Sequence, residues 1–260
     1  MTHAETTVLV KAERLTKHYG RCVALEDVSL DVQRGEILAL VGPNGAGKTT
    51  ILKLLAGLLA PTSGRVMIAG YEMERASLEA KRSLSFVPDQ PFVYEQLTVE
   101  EFLGFIGGVY RMPPHALAQR AEFLIRLFGL DRFVFQRIST LSYGMRSRVV
   151  LIASLLHEPQ VFLMDEPFFG LDPQTLRLIK QLLLDLAKQG VAVVLSTHQL
   201  PVVEDLASRI AILSQGRLVA LDRLDALTQR YGQGQLEDVF FHLTSPQASS
   251  PVGPARLREA

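Results

Sequence analysis

Gly42-Pro43-Asn44-Gly45-Ala46-Gly47-Lys48-Thr49-Thr50 carries the strongest local signal in the chain. It fits G-x-x-x-x-G-K-[ST], the phosphate-cradling P-loop or Walker A pattern. The apolar run Ile37-Leu38-Ala39-Leu40-Val41 leads straight into it. Ile51, Leu54, Leu55, Leu58 and Leu59 follow at helical spacing. Strand, glycine loop and helix, in that order, form the context the motif requires. The glycines let the backbone curl so that successive N–H groups face one anion. The helix N-terminus beyond adds its positive dipole end. Lys48 is expected to reach the β- and γ-phosphates of a nucleotide, and the Thr49 hydroxyl to ligate Mg2+.

The chain has 260 residues, 48% hydrophobic and 21% charged, as in an ordinary globular protein with one large domain or a core plus a small subdomain. Its formal net charge is zero, so no global basic field points to nucleic acid, and none is expected as a partner. The one cysteine, Cys22, excludes an internal disulfide and reads as a small half-buried apolar residue. The N-terminus carries no apolar signal core, and no run approaches the roughly eighteen apolar residues of a membrane helix. If the protein works at a membrane, another chain supplies the span.

From Val8 to Val32 short apolar stretches alternate with polar residues, which predicts an antiparallel β-layer punctuated at Gly20 and Gly35. Pro61-Thr62-Ser63-Gly64 predicts a turn before a strand at Arg65–Ile68, and residues 72–82 a polar helix. Ser85–Val87 reads as a strand that ends at Pro88-Asp89-Gln90-Pro91. Thr98 reads as a helix N-cap, and helical patterns continue to His157 with breaks at Pro113-Pro114 and Gly129. Val161–Met164 and Val191–Leu195 are short apolar runs of the kind central parallel strands show. Asp172 and Pro173 open the helix between them, and Gly190 closes it. A short helix near 200–207, strands at 210–213 and 217–220, and helices near 222–231 and 236–242 complete the folded part. Residues 244–260, rich in Pro, Ser, Gly and Ala, are expected to form a disordered tail.

The chemistry does not rest on the P-loop alone. In Val161-Phe162-Leu163-Met164-Asp165-Glu166, a strand ends in two acids, the pattern of a Walker B strand. A carboxylate at the C-terminal edge of a parallel strand lies in the crevice where such sheets bind ligands. Asp165 is placed to hold the Mg2+ hydration shell, and Glu166 to orient or deprotonate an attacking water. Tyr19, read alone, is a surface or core aromatic as readily as a stacking platform for adenine.

Leu141-Ser142-Tyr143-Gly144-Met145-Arg146 stands upstream of this strand. With it the chain resembles the ATP-binding cassette family, whose nucleotide-binding subunits carry an LSGGQ signature. Ser142 and Gly144 match; Tyr143 replaces the first glycine of the pair and Met145 the glutamine. The resemblance covers roughly residues 8–243. It implies an α/β fold: a P-loop NTPase core with a mostly parallel central sheet, an antiparallel β-subdomain, and a helical subdomain at about 91–157 carrying the signature. In the family the signature helix N-terminus faces the γ-phosphate of ATP held by a second subunit. The physics is that of the P-loop again, a hydroxyl, a glycine N–H and a helix dipole aimed at an anion.

Other residues take roles from the same resemblance. Tyr19 fits the adenine-stacking aromatic. Phe168-Phe169-Gly170-Leu171-Asp172 looks like the dimer-contacting D-loop, with Phe169 where serine is usual. His198, in Ser196-Thr197-His198, fits the switch histidine that contacts the γ-phosphate and holds the geometry of Glu166. The glutamine expected after the strand near Val87-Pro88 is replaced by Asp89, with Gln90 next. Asp89 is the favoured alignment and would offer an oxygen to Mg2+; Gln90 takes the role if the register shifts by one.

The resemblance therefore implies a Mg2+-dependent ATPase. Gly42, Pro43, Asn44, Gly45, Ala46, Gly47, Lys48, Thr49 and Thr50 bind ATP with Tyr19, Ser142 and Gly144. Thr49, Asp89 and Asp165 serve the metal, and Glu166 and His198 the chemistry. It further implies a second such subunit, identical or not, and a transmembrane permease that docks near Asp89–Met112 and holds the chain at the cytoplasmic face of the membrane. Transport would most resemble that of bacterial exporters. The rival reading is a soluble cassette ATPase outside transport, such as an iron–sulfur assembly factor; a sensor that binds nucleotide without hydrolysis ranks third.

Overall fold

The structure, a computed structural model, describes residues 8–90, 92–232 and 234–245. The alternating N-terminal sequence forms two long strands, β1 (Val8–Tyr19) and β2 (Cys22–Gln33), paired antiparallel with several register shifts. After β3 (Ile37–Val41) and helix α1 (Lys48–Leu55), the chain returns as β4 (Ser63–Ile68), which pairs with β1, and β5 (Tyr71–Glu72). These make a four-stranded layer in the order β2-β1-β4-β5. The expected helix over 72–82 is confined to α2 (Ser77–Arg82), because Tyr71 and Glu72 pair with Ile68 and Met67 instead. The helical spacing read as far as Leu59 stops at Leu55: Gly57 turns to φ +64°, the left-handed geometry that ends helices, and Leu58 is left exposed.

The second sheet begins with β6 (Leu84–Val87). Helices α3 (Val99–Val109), α4 (Pro114–Leu127) and α5 (Tyr143–Leu155) then form the helical insertion. Next come β7 (Val161–Asp165), α6 (Pro173–Lys188), β8 (Ala192–Ser196), α7 (Leu200–Leu206), β9 (Arg209–Ser214) and β10 (Arg217–Asp222). Helices α8 (Leu224–Tyr231) and α9 (Leu236–Thr244) finish the described chain. The tail expected from residue 244 lies outside the described residues except for Thr244, which is the last residue of α9, and Ser245.

The six strands run in the order β10-β9-β3-β8-β7-β6, all parallel except β10. β3, β7 and β8 are buried at every position, which is why they read as unbroken apolar runs. Their side chains alternate between two cores. Leu38, Leu40, Leu163 and Val194 face the antiparallel layer and α1. Ile37, Ala39, Phe162, Met164 and Leu195 face the helical insertion and the C-terminal helices. The sheet order sets the C-terminal ends of β3, β8 and β7 side by side, and these are the ends that carry the P-loop, Ser196-Thr197-His198 and Asp165-Glu166.

Candidate active site

The P-loop is shaped by what surrounds it. A Cβ at Gly42 would stand 2.5 Å from the Leu213 carbonyl oxygen, so only glycine lets β3 and β9 approach here. Gly47 opens α1 at φ +106°, and a Cβ there would meet Leu25 Cδ2 at 2.5 Å and the Ala24 carbonyl at 2.9 Å. The loop is also tied from outside. The Gly216 N–H, in the turn between β9 and β10, donates to the Ala46 carbonyl (3.2 Å), and the Glu26 N–H of β2 donates to the Gly216 carbonyl (2.9 Å). Ile51, Leu52, Leu54 and Leu55 bury one face of α1 and fix its N-terminus behind the loop.

Lys48 is buried, and its ammonium donates to the Gly42 carbonyl (2.7 Å) and the Pro43 carbonyl (3.1 Å). Burial pushes its pKa down, while the charges of Glu166 and Asp165 pull it back up. The two carboxylates therefore lie within electrostatic reach of the P-loop lysine. A curled backbone, a helix N-terminus and an ammonium together suit a polyphosphate.

Asp165 is 2% exposed and directly opposite Ser196 in the β7–β8 register. The Ser196 hydroxyl donates to Asp165 Oδ1, which fixes the carboxylate. Ser196 also holds the next residue. The Glu166 N–H donates to the Ser196 carbonyl (3.1 Å) and to its Oγ (3.1 Å). Glu166 takes φ +48°, a left-handed conformation that a non-glycine residue keeps only where its surroundings enforce it. Its Oε2 lies 2.9 Å from His198 Nδ1. The structure thus brings Lys48, Asp165, Glu166 and His198 to one corner. Thr49 is half-buried at the first turn of α1.

Ser196 is the functional residue that sequence reasoning passed over. Its signal was present: a serine closing the apolar run of β8, where burial demands a partner. Among the described residues no cluster of three or more His, Cys, Asp or Glu stands ready for a metal. A Mg2+ held by one or two protein oxygens plus phosphates and water needs none. The Ser196 hydroxyl orients one Asp165 oxygen, and the donor set of Thr49 hydroxyl and Asp165 carboxylate suits a hard cation.

Tyr19 ends β1 beside the β1–β2 turn, half exposed, with the Lys17 ammonium 5.3 Å from its ring centre. Asp89 follows β6 at the sheet edge, exposed, and its carbonyl accepts a long bond from the Tyr143 hydroxyl (3.4 Å). Gln90 beside it is exposed as well.

Ser142 and Gly144 sit elsewhere. Ser142 caps α5 by accepting the Met145 N–H (3.3 Å), and the residue is exposed. α5 packs on β6, α3 and α4, whereas α1 lies among β1, β2, β4, β7 and β8. A Cβ built on Gly144 would meet nothing within 4 Å. Downstream, Asp172 caps α6 through the Gln174 and Thr175 N–H groups and accepts the Thr175 hydroxyl, with Arg148 of α5 at 3.3 Å. These bonds hold its carboxyl down at about 2.

A family model described as ABC transporter matches residues 25–169. The linearmycin resistance ATP-binding protein LnrL of Bacillus subtilis is 33% identical over 224 residues, covering 86% of this chain and 72% of that protein. A solved ATP-binding subunit of an ABC transporter superposes with a TM-score of 0.87 at 32% identity, over 90% of this chain and 99% of that one. A dimeric post-hydrolysis state of the ATP-binding cassette MJ0796, bound to ADP and Pi, gives 0.74 at 28% identity over 83% and 99%. No helix among the described residues is long and apolar enough to cross a membrane. Fold, corner and relatives agree: the chain belongs to the ABC transporter family and is one of its ATP-binding, ATP-hydrolysing subunits.

Proposed function

We propose that two such subunits, identical or not, close over a pair of ATP–Mg2+ molecules and so drive export through a separate membrane permease at whose cytoplasmic face they sit. One observation carries this reading. The P-loop corner gathers Lys48, Asp165, Glu166 and His198 in one chain, while Ser142, exposed, and Gly144, half-buried, open a helix that packs elsewhere. Ser142 and Gly144 then serve the ATP of the partner copy.

Each residue has a task. Gly42 to Thr50 wrap the phosphates, with Lys48 leaving the Gly42 and Pro43 carbonyls for the β- and γ-oxygens. Tyr19 offers its open face to adenine. Thr49 and Asp165 would hold Mg2+, with Asp89, in preference to Gln90, offering a further oxygen, and the ion would supply positive charge against the phosphates. Glu166 orients the attacking water and takes its proton, and His198 fixes the Glu166 carboxylate through Nδ1. ATP supplies the anion that joins the halves, and hydrolysis removes it, so the chemistry becomes opening and closing.

The permease surface is the exposed aromatic group Phe92, Tyr94 and Phe105, beside Asp89. LnrL is named for resistance to linearmycin, which favours export of a toxic compound over uptake. The comparisons lend no support to a cassette ATPase outside transport. The test is to tag the chain, solubilise membranes of the source cell in mild detergent and identify what copurifies. A polytopic protein in fixed stoichiometry is expected. Recovery from the cytosol alone would sink the transporter reading.

A further inference from the structure

One side chain joins the docking surface to the signature. Arg146 lies one turn into α5, and its guanidinium serves three acceptors in a fan. Nε donates to the Leu141 carbonyl (3.0 Å), Nη2 to the Ser139 carbonyl (2.8 Å) and Nη1 to Glu95 Oε1 (2.6 Å). The Leu141 carbonyl belongs to the peptide unit that leads into Ser142. Glu95 belongs to the segment that follows Phe92 and Tyr94. Backbone bonds run alongside: the Ser139 N–H donates to the Glu95 carbonyl (3.0 Å), and the Ile138 N–H to the Leu97 carbonyl (2.9 Å). Thr98 and Arg137 continue the same antiparallel contact. The stretch around Glu95 and the stretch entering the signature are therefore one mechanical unit, with Arg146 at its centre.

We propose that Arg146, anchored by Glu95, is the positioning residue of the signature: it sets Ser142 and Gly144 in register with the permease-facing segment, so that a shift in one moves the other. The proposal rests on the reading that Ser142 and Gly144 meet the partner copy's ATP. Arg146 acts through the peptide units it holds. Each acceptor is met by a different guanidinium nitrogen, a spread of donors that the single nitrogen of a lysine does not reproduce.

The experiment uses the full chain carrying Glu166→Gln, so that closed dimers persist. ATP-driven dimerisation is followed by light scattering, binding of a fluorescent ATP analogue to the monomer is measured separately, and thermal melting verifies the fold. Arg146→Lys is expected to raise the ATP concentration for half-dimerisation by about tenfold or more, as loss of a charge-assisted bond implies. Monomer nucleotide affinity should not move, because the P-loop corner is untouched. Glu95→Gln, which keeps an acceptor, should fall between parent and Arg146→Lys. Arg146→Lys dimerising at the parent's ATP concentration would overturn the proposal. If that variant does not fold, Glu95→Ala decides: unaltered dimerisation overturns the proposal, and weakened dimerisation with intact monomer binding supports it. Gly144→Asp separates the two readings. If it blocks dimerisation while Arg146→Lys and Glu95→Ala do not, only the role of Arg146 falls. If it leaves dimerisation intact, the signature reading beneath it falls.

Discussion

At the P-loop, Lys48 is buried and bonded to the Gly42 and Pro43 carbonyls, and the loop is strapped to β2 through Gly216. At the signature, Ser142 and Tyr143 are exposed, and nothing stands within 4 Å of a Cβ built on Gly144. Both segments put a glycine-containing turn at a helix N-terminus, and both suit an anion. One is finished by its own chain and the other is not. On the reading proposed above, the fold stabilises only half of a nucleotide site, and the remaining half is a surface that acquires its partner groups on association.

The largest effect is expected at Glu166, in the P-loop corner. Glu166→Gln keeps the shape and its hydrogen-bonding oxygen but removes the base. Turnover should fall by about a hundredfold or more, as loss of a general base implies, while ATP binding stays. Phosphate release measures the first and a fluorescent nucleotide the second. Because ATP then remains as the bridge, dimers should become persistent in light scattering. Undiminished turnover would take the catalytic role away from Glu166, and ATP binding without dimers would make the P-loop site complete in one chain.

The glycines offer the next contrast. Gly47→Ala forces a Cβ against Leu25 and the Ala24 carbonyl at φ +106°, which should cost about 1–3 kcal/mol in strain and weaken nucleotide binding with it. Gly144→Ala meets open space in a helical position and should leave the melting temperature unchanged or slightly raised. It should act on dimerisation alone. Equal melting of both variants would erase the difference between a core-built half and a surface-built half.

The local chemistry was legible in the sequence because it is local. The P-loop needs neighbours within nine residues, and the Walker B acids need only the strand that carries them. The two-sided burial of β3, β7 and β8 was written as unbroken apolar runs. Ser196 was legible as a buried serine in need of a partner, but not which partner, because Asp165 and Glu166 meet it only through the β7–β8 register. Arg146 and Glu95 stand 51 positions apart, and no periodicity links them. Glu72 was read as the start of a polar helix, yet strand pairing with Met67 outweighed so weak a propensity. The Gly57 stop was visible as a glycine, but its neighbours Leu58 and Leu59 continued the apolar spacing past it.

The smallest effect lies at the start of α3, where the segment that carries Phe92 and Tyr94 gives way to the helical insertion. Thr98 and Glu101 form a reciprocal cap: the Thr98 hydroxyl accepts the Glu101 N–H (3.2 Å), and the Glu101 carboxylate accepts the Thr98 N–H (2.8 Å). Thr98→Ala should cost about 1 kcal/mol, or about 2–4 °C in melting for a chain of this size. The bonds from Thr98 hold the Glu101 carboxyl below its ordinary value of 4.5. A carboxyl depressed in the folded state stabilises above its unfolded pKa, and that contribution drains away as pH falls through the lower folded value. Melting of the parent and of Glu101→Gln should therefore differ at neutral pH and converge as the solution is acidified below 4.5. Thr98→Ala should keep part of that pH dependence, because the backbone N–H that Glu101 accepts survives the substitution. A gap between parent and Glu101→Gln that is constant with pH would show that the carboxylate caps nothing, and that α3 is set by its packing on α4 and α5 alone.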